Sequence, residues 1–333
     1  MFAYGIWKEI MFIFRMKLGF GLFLVLILFA LSACGQPVLS QISISKKDSI
    51  RHKDKMVELF ELVNKNGMSV KLTNYAASVT DIVVPDRYGN LGHVVLGFDS
   101  LNSYFGRHPK FGATIGRFAN RIKNAEFRLD NRVYHLEKNN KGYSIHGGVK
   151  GFNLQIFNTD TFFVRKDTAV IVFRYISPHL EGGFPGTLNL SVTYKLTNDN
   201  KLILEYTAST DKATVINITN HSYFNLTGCK ESVLNHLYMI DADSITPLDS
   251  TGIPTGELMS VAGTRYDYTS LQTVEEKVRG AGIGYDINYK LNKKTAAPHL
   301  AAVVVEPVSG RVLRAYTTEP GMQFYIPNSN MDY

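Results

Sequence analysis

Leu188-Asn189-Leu190-Ser191-Val192-Thr193-Tyr194-Lys195-Leu196 alternates apolar and polar side chains without a break. A period of two sends successive side chains to opposite faces, so this stretch predicts a strand with one buried and one wet face. Thr197-Asn198-Asp199-Asn200 supplies turn residues, and Leu202, Leu204 and Tyr206 resume the alternation, which makes the pair a β-hairpin. Shorter strand-like runs recur at 94–96, 169–176, 215–218, 303–305 and 312–316, each bounded by Gly, Pro, Asn or Asp. Helical periodicity is confined to 269–279, where Thr273 and Glu276 have the spacing of a capping box. Many short strands without alternating helices predict an all-β protein, a large antiparallel β-sandwich.

The 333 residues are 45% hydrophobic and 20% charged, enough apolar material for one large core or two modest ones. The net charge of +7 does not point to nucleic acid, because Lys and Arg are interleaved with Asp and Glu through most of the chain. The densest basic stretch, Lys46, Lys47, Arg51, Lys53 and Lys55, reads as part of a solvated linker over 35–55, with the folded domain over 56–333.

Ahead of that linker, Arg15 and Lys17 precede an apolar run over 18–31 that ends in Leu31-Ser32-Ala33-Cys34-Gly35. A charged start, an apolar middle and a small-residue end describe an export signal, and the run is shorter than the ~20 residues of a spanning helix. It resembles the lipobox of bacterial lipoproteins, so residues 1–34 are expected to be a signal peptide and Cys34 to carry lipid on the outer side of a cell membrane. Met16 is the expected translation start. Of the two cysteines, Cys229 is then left without a partner, and neither a disulfide framework nor a Cys-based metal site follows.

Four stretches place hydrogen-bonding residues between strand-like segments, where loops display function. They are Gly116-Arg117-Phe118-Ala119-Asn120-Arg121-Ile122, Ile145-His146-Gly147-Gly148, Thr219-Asn220-His221-Ser222-Tyr223-Phe224-Asn225, and the pair Gly284-Tyr285-Asp286 with Pro320-Gly321-Met322-Gln323-Phe324. His146 beside two glycines is consistent with a structural turn or with a ligand approached closely by backbone. His221 fits a buried ring satisfied by a neighbouring Asn equally well. Alternation would put His221 and Tyr223 on one face and Ser222 on the other. Arg117 and Arg121 read alike, as surface charges or as a planar fork drawn into a pocket. Asp286 stands between apolar neighbours and therefore needs partners.

Taken in order and spacing, these motifs resemble those of the aldose 1-epimerase, or galactose mutarotase, family from about Met56 onward. The resemblance implies one sugar site lined by Asn120, Arg121, His146, His221, Tyr223, Asp286 and Gln323, with a free aldohexose as partner and no metal or organic cofactor. It implies that His221 is the acid at the ring oxygen, that His146 bonds the same region, and that the other residues hold hydroxyls. Interconverting α and β anomers needs a proton delivered to the ring oxygen while the anomeric hydroxyl loses one, work suited to a histidine with an ordinary pKa near 6.5. The family's catalytic base is a Glu well beyond the Pro-Gly-x-Gln-Phe-Tyr motif. This sequence ends at Tyr333, and Glu306 and Glu319 precede Gln323, so the expectation is a sandwich lacking its closing strands and that base. A lipid-anchored sugar-binding protein without turnover is the alternative reading. Glycoside hydrolases and polysaccharide lyases share such sandwiches, but no motif here supplies their carboxylate arrangement.

Overall fold

A computed structural model describes residues 41–278, 284–292 and 295–327, all within one compact unit, Leu39–Tyr333. Cys34 and the signal-like segment lie outside the described residues. The chain opens with a five-stranded sheet in sequence order: β1 (Ser43–His52), β2 (Lys55–Val63), β3 (Ser69–Thr73), β4 (Ser78–Pro85) and β5 (Leu91–His93). Five short strands follow, β6 (Thr114–Ile115), β7 (Arg121–Ile122), β8 (Glu126–Leu129), β9 (Arg132–His135) and β10 (Ser144–Ile145). A second meander comprises β11 (Asn158–Arg165), β12 (Thr168–Ser177), β13 (Leu188–Thr197) and β14 (Leu202–Thr210).

The expected hairpin is β13–β14, closed at Leu196↔Leu202. Leu188, Leu190, Val192, Tyr194 and Leu196 are at most 1% exposed, and they meet Phe60, Leu62, Val70 and Leu72 of the first sheet in one core. Fully burying each such side chain contributes roughly 1.5–3 kcal/mol, so the alternating face of β13 welds the two sheets together. Tyr194 is buried without loss because its hydroxyl donates to the Ala77 carbonyl at 2.6 Å.

After β15 (Thr219–Asn220) come β16 (Leu237–Ile240), β17 (Ser244–Thr246), β18 (Met259–Ser260), β19 (Gln272–Thr273), helix α1 (Val274–Val278), β20 (Tyr285–Lys290), β21 (His299–Val305), β22 (Val312–Thr317) and β23 (Gly321–Ile326). They build two four-stranded sheets, β19-β16-β21-β22 and β18-β17-β20-β23, around a second core of Tyr238, Ile240, Ile245, Tyr285, Ile287, Tyr289 and Ala301. Every ladder between these strands is antiparallel. The capping box is present: the Glu276 amide donates to Thr273 Oγ1 at 3.2 Å, and the Thr273 amide to the Glu276 carboxylate at 3.4 Å.

Two sequence expectations need correction. The linker does not extend to residue 55, because Ser43–His52 is the edge strand β1, and Lys46 and Lys47 pair with Glu58 and Glu61 of β2. Only Ile44, Ile50 and His52 of β1 are half-buried, and the residues between them are polar and exposed, which is why this edge strand read as linker. The runs at 94–96 and 215–218 are not strands either; each makes an isolated bridge, Val95 to Phe224 and Asn217 to Phe118. Both pass beside the site, where the backbone pairs one residue at a time.

Candidate active site

Short ladders gather the motif residues. β6 pairs β15, and the ladder continues through Gly112 and Ala113, which exchange backbone bonds of 3.0 and 2.9 Å with His221. β7 pairs β10, which sets Arg121 opposite Ile145 and leaves His146 beside Asn120. On β20, Tyr285, Ile287 and Tyr289 point into the second core, so period two turns Asp286 outward, and Gln323 of β23 lies diagonal to it. The carboxylate flanked by apolar letters is therefore on the open face of its strand.

His146 has a positive φ of 55° and Gly147 one of 86°. A side chain on Gly147 would collide with the Gly116 carbonyl, so only glycine permits this turn. It carries the His146 ring back to Asn120, whose amide donates to Nδ1 at 3.1 Å, while the His146 amide donates to the Asn120 carbonyl at 3.0 Å. With Nδ1 accepting, neutral His146 carries its proton on Nε2. The His221 ring stands perpendicular to it, 5.3 Å between centroids, and 5.2 Å from the Tyr223 ring. Asn220 does not satisfy the His221 ring; its side chain donates to the Gly112 carbonyl at 2.7 Å and accepts from the Ser222 hydroxyl at 2.6 Å. The Tyr223 hydroxyl donates to the Pro109 carbonyl at 3.3 Å, which leaves the ring as a wall.

Beside the histidines, four side chains close a hydrogen-bonded ring. Arg121 Nη2 reaches Asp286 at 2.8 Å, Gln323 Nε2 the other Asp286 oxygen at 2.7 Å, Asn120 Nδ2 Gln323 Oε1 at 3.0 Å, and Arg121 Nη1 Asn120 Oδ1 at 3.2 Å. The Arg121 side chain is only 14% exposed and Asp286 is 41% exposed, so the ring is anchored at the arginine and open at the carboxylate. Burial works against the Arg121 charge, but bonds to Asp286 and Tyr143 outweigh it and raise its pKa. Donors and acceptors alternate around the rim, the array that vicinal hydroxyls require.

Burial, then the charges of His221, Lys110 and Arg121, pushes His146 down to about 3. Burial also lowers His221 to about 4, with Lys110 adding to the fall and its own carbonyl and Asp286 opposing it. The expectation of a proton held near neutrality is thus revised: both rings rest neutral, because they are enclosed beside cations.

The sites expected from sequence converge: Asn120, Arg121, His146, His221, Tyr223, Asp286 and Gln323 all belong to this cluster. Arg117, which read like Arg121, does not; it is 2% exposed and holds the 177–186 loop. Glu306 accepts the Val308 and Ser309 amides in the β21–β22 turn, and Glu319 sits in the turn after β22. Sequence reasoning missed Tyr143, 6% exposed, whose hydroxyl accepts from Arg121 Nε at 3.4 Å. It also missed Lys110, on the loop that pairs with His221. An aromatic three residues before His146 was the available signal for the first; a lone Lys in a loop gives none.

A β-sandwich with a neutral histidine pair beside a ring of hydrogen-bond donors and acceptors fits a class of protein that handles sugars. The aldose 1-epimerase family model matches residues 58–333. Human galactose mutarotase is 40% identical over 274 residues, covering 82% of this chain and 78% of that protein. Escherichia coli aldose 1-epimerase is 34% identical over 279 residues, 81% and 78%. Among solved structures, an aldose epimerase homologue from C. elegans superposes with a TM-score of 0.74 at 29% identity over 80% of each chain. The Lactobacillus acidophilus galactose 1-epimerase gives 0.71 at 25% identity, covering 80% of this chain and 77% of that one. The chain belongs to the aldose 1-epimerase family.

Proposed function

We infer that this protein interconverts the α and β anomers of free aldoses by opening and reclosing the pyranose ring. The observation that carries the reading is the perpendicular His146–His221 pair standing beside the closed ring of Asn120, Arg121, Asp286 and Gln323. Mutarotation changes no net protonation; the proton lost by the anomeric hydroxyl is matched by one gained at the ring oxygen. A site for it needs groups that take up and release one proton, and dipoles that hold the hydroxyls while the aldehyde rotates. Neutral His221 serves as that relay, receiving a proton as the anomeric oxygen becomes carbonyl and delivering one to the ring oxygen. His146 presents Nε2–H to the same region. The rim ring gives up its mutual bonds to the sugar hydroxyls, so substrate binding exchanges hydrogen bonds rather than leaving them unmade.

Polarimetry on freshly dissolved α-glucose or α-galactose tests this. The protein should speed the approach to equilibrium, and a sugar-binding protein without turnover would not. The pH profile is specific to the neutral pair. A relay that must start unprotonated keeps its activity from neutrality down past the ordinary histidine range and loses it as pH falls through about 4, where His221 charges. An acid limb centred near pH 6.5 would contradict the buried, neutral assignment.

We also propose that Cys34 is lipidated and holds the enzyme on the outer side of a bacterial cell membrane. The support is the charged start, the apolar run over 18–31 and Leu31-Ser32-Ala33-Cys34. Cys34→Ser should move the protein from the detergent-soluble membrane fraction to the aqueous fraction of expressing cells; an unchanged distribution would reject the anchor.

A further inference from the structure

Three half-buried or buried cations lie on the strands and loops that build the site. Two are accounted for: Arg121 is ion-paired to Asp286 at 2.8 Å, and the Arg117 guanidinium is hydrogen-bonded throughout to the 177–186 loop. The third is Lys110. Its backbone is fixed: the amide donates to His108 Nδ1 at 3.1 Å, the carbonyl accepts from Ala113 at 3.1 Å, and φ is 64°. Two residues on, Gly112 donates to the His221 carbonyl, so the Lys110 turn is tied directly to the relay histidine. Its half-buried side chain acts electrostatically on both His146 and His221. Yet no carboxylate or acceptor among the described residues meets its ammonium; burial and the like charge of Arg107 bear on it and lower its pKa.

A half-buried cation without a counter-charge is partly desolvated and would be stabilised by a ligand that supplies one. In a pyranose the ring oxygen is bonded to C5, and C5 carries C6. If His221 exchanges its proton with the ring oxygen, a cation beside that histidine comes within reach of the C6 substituent. We propose that Lys110 is a specificity residue for a carboxylate at C6, and that the preferred substrate class is the free hexuronic acids rather than neutral hexoses. The inference rests on the mutarotase reading of the same site. A carboxylate is favoured over a phosphate because one ammonium balances one negative charge and lacks the fork that a phosphate dianion exploits.

The test measures kcat/KM by polarimetry for glucuronate, glucose and glucose 6-phosphate on the intact protein at neutral pH and low salt. The result expected is a glucuronate-to-glucose ratio of about tenfold or more, the effect of one charged hydrogen bond, shrinking as salt is added. In Lys110→Met the ratio should collapse towards one, and in Lys110→Arg it should largely survive; being a ratio, it is insensitive to loss of folded protein. Acceleration of glucose with no preference for glucuronate overturns the proposal and leaves the mutarotase reading standing, as does a ratio unmoved by Lys110→Met. A preference for glucose 6-phosphate overturns the carboxylate assignment. No acceleration of any sugar sinks the underlying reading, and this inference with it.

Discussion

His221→Gln lowers kcat/KM for mutarotation by about 10²–10⁴-fold, the loss typical of a positioned proton-transfer group, while the protein stays folded. Glutamine fills much of the space between the His146 and Tyr223 rings, which lie 5.3 and 5.2 Å away, and it leaves the backbone bonds to Gly112 and Ala113 intact. It can donate and accept hydrogen bonds but cannot relay a proton, so kcat should carry the loss and KM should change little. The rim behaves in the opposite sense. On the proposed reading Asp286 would hold hydroxyls in the ground state as much as in the transition state, so interactions lost there should appear in KM. A His221→Gln enzyme with kcat within about threefold of the parent would remove His221 from the chemistry.

How far the sequence foretold this site depends on whether each residue's neighbours in the chain are also its neighbours in space. β13 was legible because one face of it is packed at 0–1% exposure against the first sheet and the other is wet, and period two follows from that alone. β1 was not, since this edge strand packs only Ile44 and Ile50 against the cores and is written in polar letters between them. Asp286 appeared misplaced among Tyr285 and Ile287 until β20 was seen to turn alternate residues to opposite sides. The neutral state of the histidines could not be read at all, because Lys110 and Arg121, which help to set it, reach His146 only through the fold. Arg117 and Arg121, four residues apart in one motif, show the limit most sharply. One belongs to the hydrogen-bonded ring and the other is a strut behind it, and nothing in the letters tells them apart.

That strut is where the largest loss of stability is expected. Arg117 Nε donates to Ser177 Oγ, Nη1 to the Pro185 and Gly186 carbonyls, and Nη2 to the Ser177 and Pro178 carbonyls, each at 2.9 Å. All five protons of the fork are used on the connection that runs from Ser177, the last residue of β12, towards the start of β13. Glu181 completes the cluster, accepting from Tyr175 at 2.6 Å and from Ser177, and its charge offsets that of the arginine. Arg117→Ala takes the guanidinium donors from four carbonyls, of which that of Pro178 keeps the Glu181 amide at 3.0 Å, and removes the charge that faces Glu181, a loss of about 3–5 kcal/mol for breaking a buried charged network. At about 2–4 °C per kcal/mol for a domain of this size, Tm should fall by roughly 10 °C in a calorimetric or fluorescence scan. Arg117→Lys restores the charge but only three donors in no fixed plane, so it should recover part of the loss. Activity should suffer as well at temperatures where the protein remains folded. Asn217 bonds the Arg117 carbonyl at 2.9 Å and the Ala119 amide at 2.8 Å, and the next two residues are Asn120 and Arg121. Releasing Arg117 loosens the segment that aims both of them at Asp286 and Gln323, so KM should rise in Arg117→Ala. If Arg117→Ala melts within about 2 °C of the parent, the 177–186 loop is held by something other than this guanidinium.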